Sequence, residues 1–205
     1  MSVERGTEAM LTRRREILAQ GAEPIGWKVG FNVPEIREKI GLDAPLAGFM
    51  TTDNLIEESW DEYPVLAESE VAVEIGPDGR SIAALLPAIE LVDPPDLELE
   101  VEQMLAGNLF HRAVAFGPRV ETDAPGAGRI LVNGEEQHSL SAEHTSANLE
   151  AMVETVAARL EAADEQLSPG ERIITGVLVP PYEAQAGDTV RLELEALGSV
   201  EVRFS

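Results

Sequence analysis

Two apolar runs decide most of what this chain can become. Leu66-Ala67-Glu68-Ser69-Glu70-Val71-Ala72-Val73-Glu74 and Pro87-Ala88-Ile89-Glu90-Leu91-Val92-Asp93 set glutamates into segments otherwise suited to a core. Successive side chains of a strand point to opposite faces, so Glu68 and Glu70 project side by side. Like charges so close raise one another's pKa unless a cation sits between them, and Glu90 can supply a third oxygen. A strand with one solvated face also alternates apolar and acidic residues, and among 38 Asp and Glu an E-x-E triplet arises by chance. Glu90 weighs against that plainer reading, because burying an unpaired carboxylate within Ala-Ile-Glu-Leu-Val is costly. Three carboxylates in a chain without cysteine suggest a hard ion.

The length of 205 residues suits one domain over 1–205, opened by a short helical segment within 1–24. A net charge of −23 argues against a nucleic-acid backbone or an anionic membrane as partner. The absence of cysteine excludes disulfides and thiolate metal sites. No run is apolar enough for a membrane span, and the first residues lack the apolar core of a signal peptide, so a cytoplasmic protein is expected.

Residues 7–19 read as a short amphipathic helix ending near Gly21. Ile25-Gly26-Trp27-Lys28-Val29-Gly30-Phe31 alternates as a strand, with Trp27 and Phe31 as core residues. Lys28, one of only two lysines, stands in its middle. Pro34 opens a helix that stops at Gly41, and residues 42–63 are loop-like with one short strand. Further helices are expected over 97–105 and 146–167, and further strands over 113–120, 172–176, 189–197 and 200–204. Asn133-Gly134 marks a hairpin. Strands outnumber helices without a βαβ rhythm, which predicts a β-rich α+β fold. His111, His138 and His144 lack zinc-like spacing and are read as surface or packing residues.

Taken in order, the chain resembles the fumarylacetoacetate hydrolase superfamily, within it the 2-keto-4-pentenoate hydratase branch. The matching stretches are Gly26-Trp27-Lys28-Val29-Gly30-Phe31, Gly41-Leu42-Asp43-Ala44-Pro45, Glu68-Ser69-Glu70-Val71-Ala72 and Ala88-Ile89-Glu90-Leu91-Val92-Asp93. Towards the end they are Ile174-Thr175-Gly176, Ala186-Gly187-Asp188-Thr189-Val190 and Leu197–Phe204. The resemblance implies a mixed β-sandwich or roll with peripheral helices, assembled as a homo-oligomer. It also implies Mg²⁺ or Mn²⁺ on Glu68, Glu70 and Glu90, and substrate contacts from Asn108, Thr175 and Gly176. The chain departs from the family pattern in having Leu46 after Pro45, Gly107-Asn108-Leu109-Phe110-His111 for an Asp-Asn-Ala-Ser-Ser-like stretch, and Val177 after Thr175-Gly176.

The implied chemistry is that of a small 2-oxo acid whose carbonyl is polarised by the ion as a Lewis acid. Lys28 would stabilise the developing oxyanion or move a proton, and Asp53, standing in for the acid absent at Leu46, would act as base. The first expectation is a hydratase-like lyase acting on a 2-hydroxydienoate in aromatic catabolism. A C–C hydrolase or a 2-oxo acid decarboxylase on the same scaffold is the second. A non-catalytic binding or oligomer subunit, suggested by Leu46, His111 and Val177, is the third.

Overall fold

The computed structural model describes residues 3–57 and 59–205. Helix α1 (Val3–Ala19) leads into β1 (Pro24–Gly30), α2 (Pro34–Ile40) and β2 (Leu46–Thr51), with a 3-10 turn over Thr52–Asn54. A two-residue β3 (Ser59–Trp60) precedes the long antiparallel pair β4 (Val65–Ile75) and β5 (Ile82–Val92). After α3 (Val101–Ala106) and β6 (His111–Phe116) come the hairpin strands β7 (Gly128–Val132) and β8 (Glu135–Leu140), then α4 (Ala142–Ser146) and α5 (Leu149–Glu161). Strands β9 (Arg172–Ile174), β10 (Tyr182–Ala184), β11 (Thr189–Leu194) and β12 (Gly198–Phe204) finish the chain. No helix among the described residues is long and apolar enough to cross a membrane.

The architecture is the expected sheet-rich α+β fold. One sheet runs β2-β1-β9-β4-β5-β6 with β10 added on β4, and the other runs β3-β12-β11-β7-β8. The chain after β2 turns back on the far edge of the first sheet, where Ile56 N donates to Val114 O (3.0 Å) and Asn54 Nδ2 to Arg112 O (3.0 Å). These bonds join the two ends of the sheet path and roll it up.

Strand alternation then sorts residues between the two faces of the roll. Val71, Val73, Leu85, Ile89 and Ile173 face outward into the main core, which the second sheet and the helices cover. Met50, Ala72, Leu86, Ala88, Val114 and Ile174 form a separate buried cluster on the inner face. Lys28, Glu70 and Glu90 alternate with Trp27, Val29, Val71, Ile89 and Leu91, so they belong to the inner face as well.

Several boundaries differ from expectation. The helix expected over 146–167 is the shorter α5, which begins only after Asn148 takes a left-handed conformation and ends at Glu161, and the separate α4 precedes it. The helix expected from Leu97 starts at Val101, where Glu100 and Gln103 form a capping box. The Asn133-Gly134 hairpin is present, both residues having the positive φ that a type I′ turn needs. Strand β10 was not anticipated, since Pro180-Pro181 directly before it reads as loop.

The close approach of β1 to β9 leaves no room for a side chain at Gly26. A Cβ on Gly26, whose φ is +149°, would lie 1.9 Å from Arg172 O on the parallel neighbour β9. Replacing Gly26 with Ala should therefore destabilise the protein by roughly 3 kcal/mol or more, measured as a lowered urea midpoint or as loss of folded product.

Candidate metal centre

Strands β4 and β5 pair Glu68 with Glu90 and Glu70 with Ala88, which places the three expected glutamates together on the inner face of the roll. One oxygen from each lies within 4.8 Å of the others. Glu70 and Glu90 have no exposed surface, while Glu68 is only partly buried and faces a cavity. Gly176 N donates to Glu70 Oε2 (2.7 Å), and Lys28 Nζ and His111 Nδ1 (2.6 Å) both reach Glu90 Oε1. Glu70 Oε1 and Glu90 Oε2 have no hydrogen-bond partner. Two buried carboxylate oxygens without donors, on Glu70 and Glu90, gathered with the Glu68 carboxylate, fit a hard divalent cation bound by oxygen ligands.

The electrostatics point the same way. Burial, and then the Glu90 charge, push Glu68 up to about 7 against the opposing pull of Lys28. Burial followed by repulsion from Glu90 and Glu68 raises Glu70 well above the ordinary carboxylate range. Burial acts upward on Glu90 too, but Lys28 and His111 outweigh it and hold that carboxyl below its ordinary value. Burial likewise drives the His111 imidazole down although Glu90 adjoins it. A neutral ring bonded to an ionised carboxylate carries its proton on Nδ1.

The remaining residues singled out from the sequence divide. Lys28 is in the centre, spending one N–H on Glu90 and one on Leu109 O (3.1 Å), which leaves its third for a bound molecule. Gly176 acts through its backbone, and a side chain there would strike Asn32, with a Cβ 2.4 Å from Asn32 Cγ. Asn108 is committed elsewhere: its Oδ1 accepts from Phe49 N (2.8 Å) and its Nδ2 donates to Phe49 O (2.9 Å), so the amide acts as a strand partner for β2. Thr175 donates its hydroxyl to Val71 O (2.8 Å) and ties β9 to β4. Asp53 lies exposed in the 3-10 turn after β2 and does not line the cavity. His111, set aside from the sequence, belongs to the centre.

Asn108, Leu109 and Phe110 are consecutive residues with positive φ (61°, 54° and 64°), a conformation that costs each of them local strain. This left-handed turn presents Leu109 O to Lys28 and places Leu109 and Phe110 in the cavity wall. The cavity holds about 520 Å³, and among the described residues its only polar side chains are Lys28, Asn32, Glu68 and Asp93. Phe31, expected in the core, packs against it and also lines the cavity, together with Val33, Ile36, Leu97 and Val177. Asp93 is paired with Arg112 (2.9 Å), and the Asn32 amide donates to Val177 O (3.3 Å).

A β-roll with three inward carboxylates at the head of an apolar cavity defines a class, and sequence comparison agrees: the chain belongs to the fumarylacetoacetate (FAA) hydrolase C-terminal family, matched over residues 64–205. Among its relatives is a 4-oxalocrotonate decarboxylase from Pseudomonas sp., 25% identical over 206 residues, covering 89% of this chain and 79% of that protein. The 4-oxalocrotonate decarboxylase of Pseudomonas putida G7, solved with magnesium and adipate, superposes with a TM-score of 0.85 at 20% identity, covering 98% of this chain and 85% of the other. Fumarylpyruvate hydrolase from Pseudomonas aeruginosa, solved with Mn²⁺ and pyruvate, gives a TM-score of 0.62 at 16% identity over 87% of this chain and 88% of that one.

The raised carboxyls set a pH dependence. Without metal, folded Glu68 retains a proton that the unfolded chain loses near 4.5, so stability falls as pH rises from about 4.5 to about 7, with Glu70 acting in the same direction. Glu90, held low, contributes its own loss only below that window. A cation replaces the retained protons, so its affinity climbs over the same range. Thermal melts should show Mg²⁺ raising the Tm at about pH 8 and having little effect at about pH 5.

Proposed function

We propose that this chain is a divalent-metal-dependent decarboxylase-type lyase for an unsaturated 2-oxo acid with a second carboxylate at its far end. The observation that carries this reading is the junction of a three-carboxylate centre with a mostly apolar cavity in which, among the described residues, Lys28 is the one cationic side chain. The relation to 4-oxalocrotonate decarboxylases in sequence and fold supports it.

Glu68, Glu70 and Glu90 would hold Mg²⁺ or Mn²⁺, which when bound neutralises their charge and supplies Lewis-acid polarisation of a 2-oxo acid. The free N–H of Lys28 would donate to the 2-oxo oxygen as negative charge gathers there, and Leu109 O and Glu90 keep that ammonium in place. The substrate's far carboxylate would lie along Leu97, Phe110 and Val177, away from water and without a cationic partner. Desolvation raises the energy of that carboxylate relative to neutral CO₂, which favours its loss. The breaking C–C bond leaves its electron pair in the conjugated system, ending on the 2-oxo oxygen, and solvent returns one proton to give the 2-hydroxydienoate.

Hydration, the first expectation from sequence, requires polar groups that orient and activate water at the far carbon. Among the described residues, Asn32 and Asp93 are the only polar side chains of the wall beyond Lys28 and Glu68, and each already has a partner. Decarboxylation requires no such group there.

With 4-oxalocrotonate and Mg²⁺ the protein should release CO₂, and Lys28→Met should lower kcat by about a hundredfold or more. Conversion of 2-hydroxypenta-2,4-dienoate to its hydrate, with no CO₂ released from the dicarboxylate, would replace this reading with the hydratase one.

A further inference from the structure

Strand β6 carries a bulge that decides which side chain enters the roll. Glu90 pairs with Val114 and Leu91 with Ala113, so an unbroken ladder would set Arg112 opposite Val92. Val92 is instead paired with His111. Residues paired across two strands share a face, and one extra residue exchanges the faces beyond it. Arg112 is thereby turned out to Asp93 and Glu62, and His111 is turned in beside Glu90. The His111 side chain is wholly buried, and its Nε2 has no partner. An apolar side chain of similar size would fill the same space without leaving a ring nitrogen unsatisfied, so packing alone does not account for a histidine here.

We propose that His111 is a positioning residue for Glu90. With Lys28 it holds Oε1 by a second donor, fixes the orientation of the carboxylate, and leaves Oε2 as the single oxygen through which Glu90 binds the cation. Because His111 shares that oxygen, Lys28 is not the sole restraint on Glu90. The proposal rests on reading Glu68, Glu70 and Glu90 as a cation site.

Mg²⁺ titration calorimetry on the wild type, His111→Gln and His111→Leu, with melting curves for each, tests it. The Leu variant should lose about 10- to 100-fold in Mg²⁺ affinity, in line with the loss of a group that orients a metal ligand. The Gln variant, which keeps a donor, should recover most of the affinity. On the wild type itself, imidazole ¹⁵N spectra should report His111 protonated at Nδ1 both without metal and with Mg²⁺, and they decide the matter if the Leu variant does not fold. A folded Leu variant binding Mg²⁺ as tightly as the wild type, or a ring protonated only at Nε2, would overturn the proposal while leaving the cation site standing. A wild type that binds no Mg²⁺ would overturn the cation site and the proposal together.

Discussion

The interaction on which the structure turns is the mutual repulsion of three carboxylates brought inside a β-roll. Two of them, Glu70 and Glu90, have no exposed surface, and taking ionised carboxylates out of water is among the costliest things a fold can do. The chain compensates only in part. Glu90 receives Lys28 and His111 on one oxygen, Glu70 receives a single backbone N–H from Gly176, and the second oxygen of each has no donor. Proton retention on Glu68 and Glu70 is the metal-free answer to this imbalance, and a divalent cation is the other.

The rest of the architecture holds those groups where they are. Period-two alternation gives the outer face of the roll to the large aliphatic core and leaves the inner face to a smaller apolar cluster, Ala72, Ala88 and Val114 among it, beside which the glutamates stand. The crossing from Asn54 and Ile56 to β6 closes the sheet, so the carboxylates sit at the mouth of an enclosed space instead of on a solvated surface. The strained turn over Asn108–Phe110 links these parts. Its amide completes β2, its carbonyl fixes Lys28, and its side chains wall the cavity.

How much of this was legible in the sequence follows from which features are local. The E-x-E alternation, the carboxylate inside an apolar run, the lone strand lysine and the Asn-Gly hairpin each depend on neighbouring residues, and each is found in the structure as read. His111 was not legible because strict alternation places it on the same side as Ala113 and Ala115, and only the bulge at Arg112 reverses that. Asn108 and Thr175 were expected as substrate contacts only through the family resemblance, whereas their partners here are backbone groups 59 and 104 residues away, which no local pattern announces. Asp53 lies exposed in its turn and outside the cavity wall, where turn chemistry accounts for it.

A crystal grown with Mn²⁺ and oxalate, examined by anomalous scattering at the manganese edge, shows whether the three inward carboxylates are a cation site. One strong peak is expected among Glu68, Glu70 and Glu90, with Glu90 bound through a single oxygen and oxalate extending from the ion toward Lys28 and the cavity. Manganese found only at exposed acidic side chains, with the three glutamates vacant and oxalate absent from the cavity, would contradict that site.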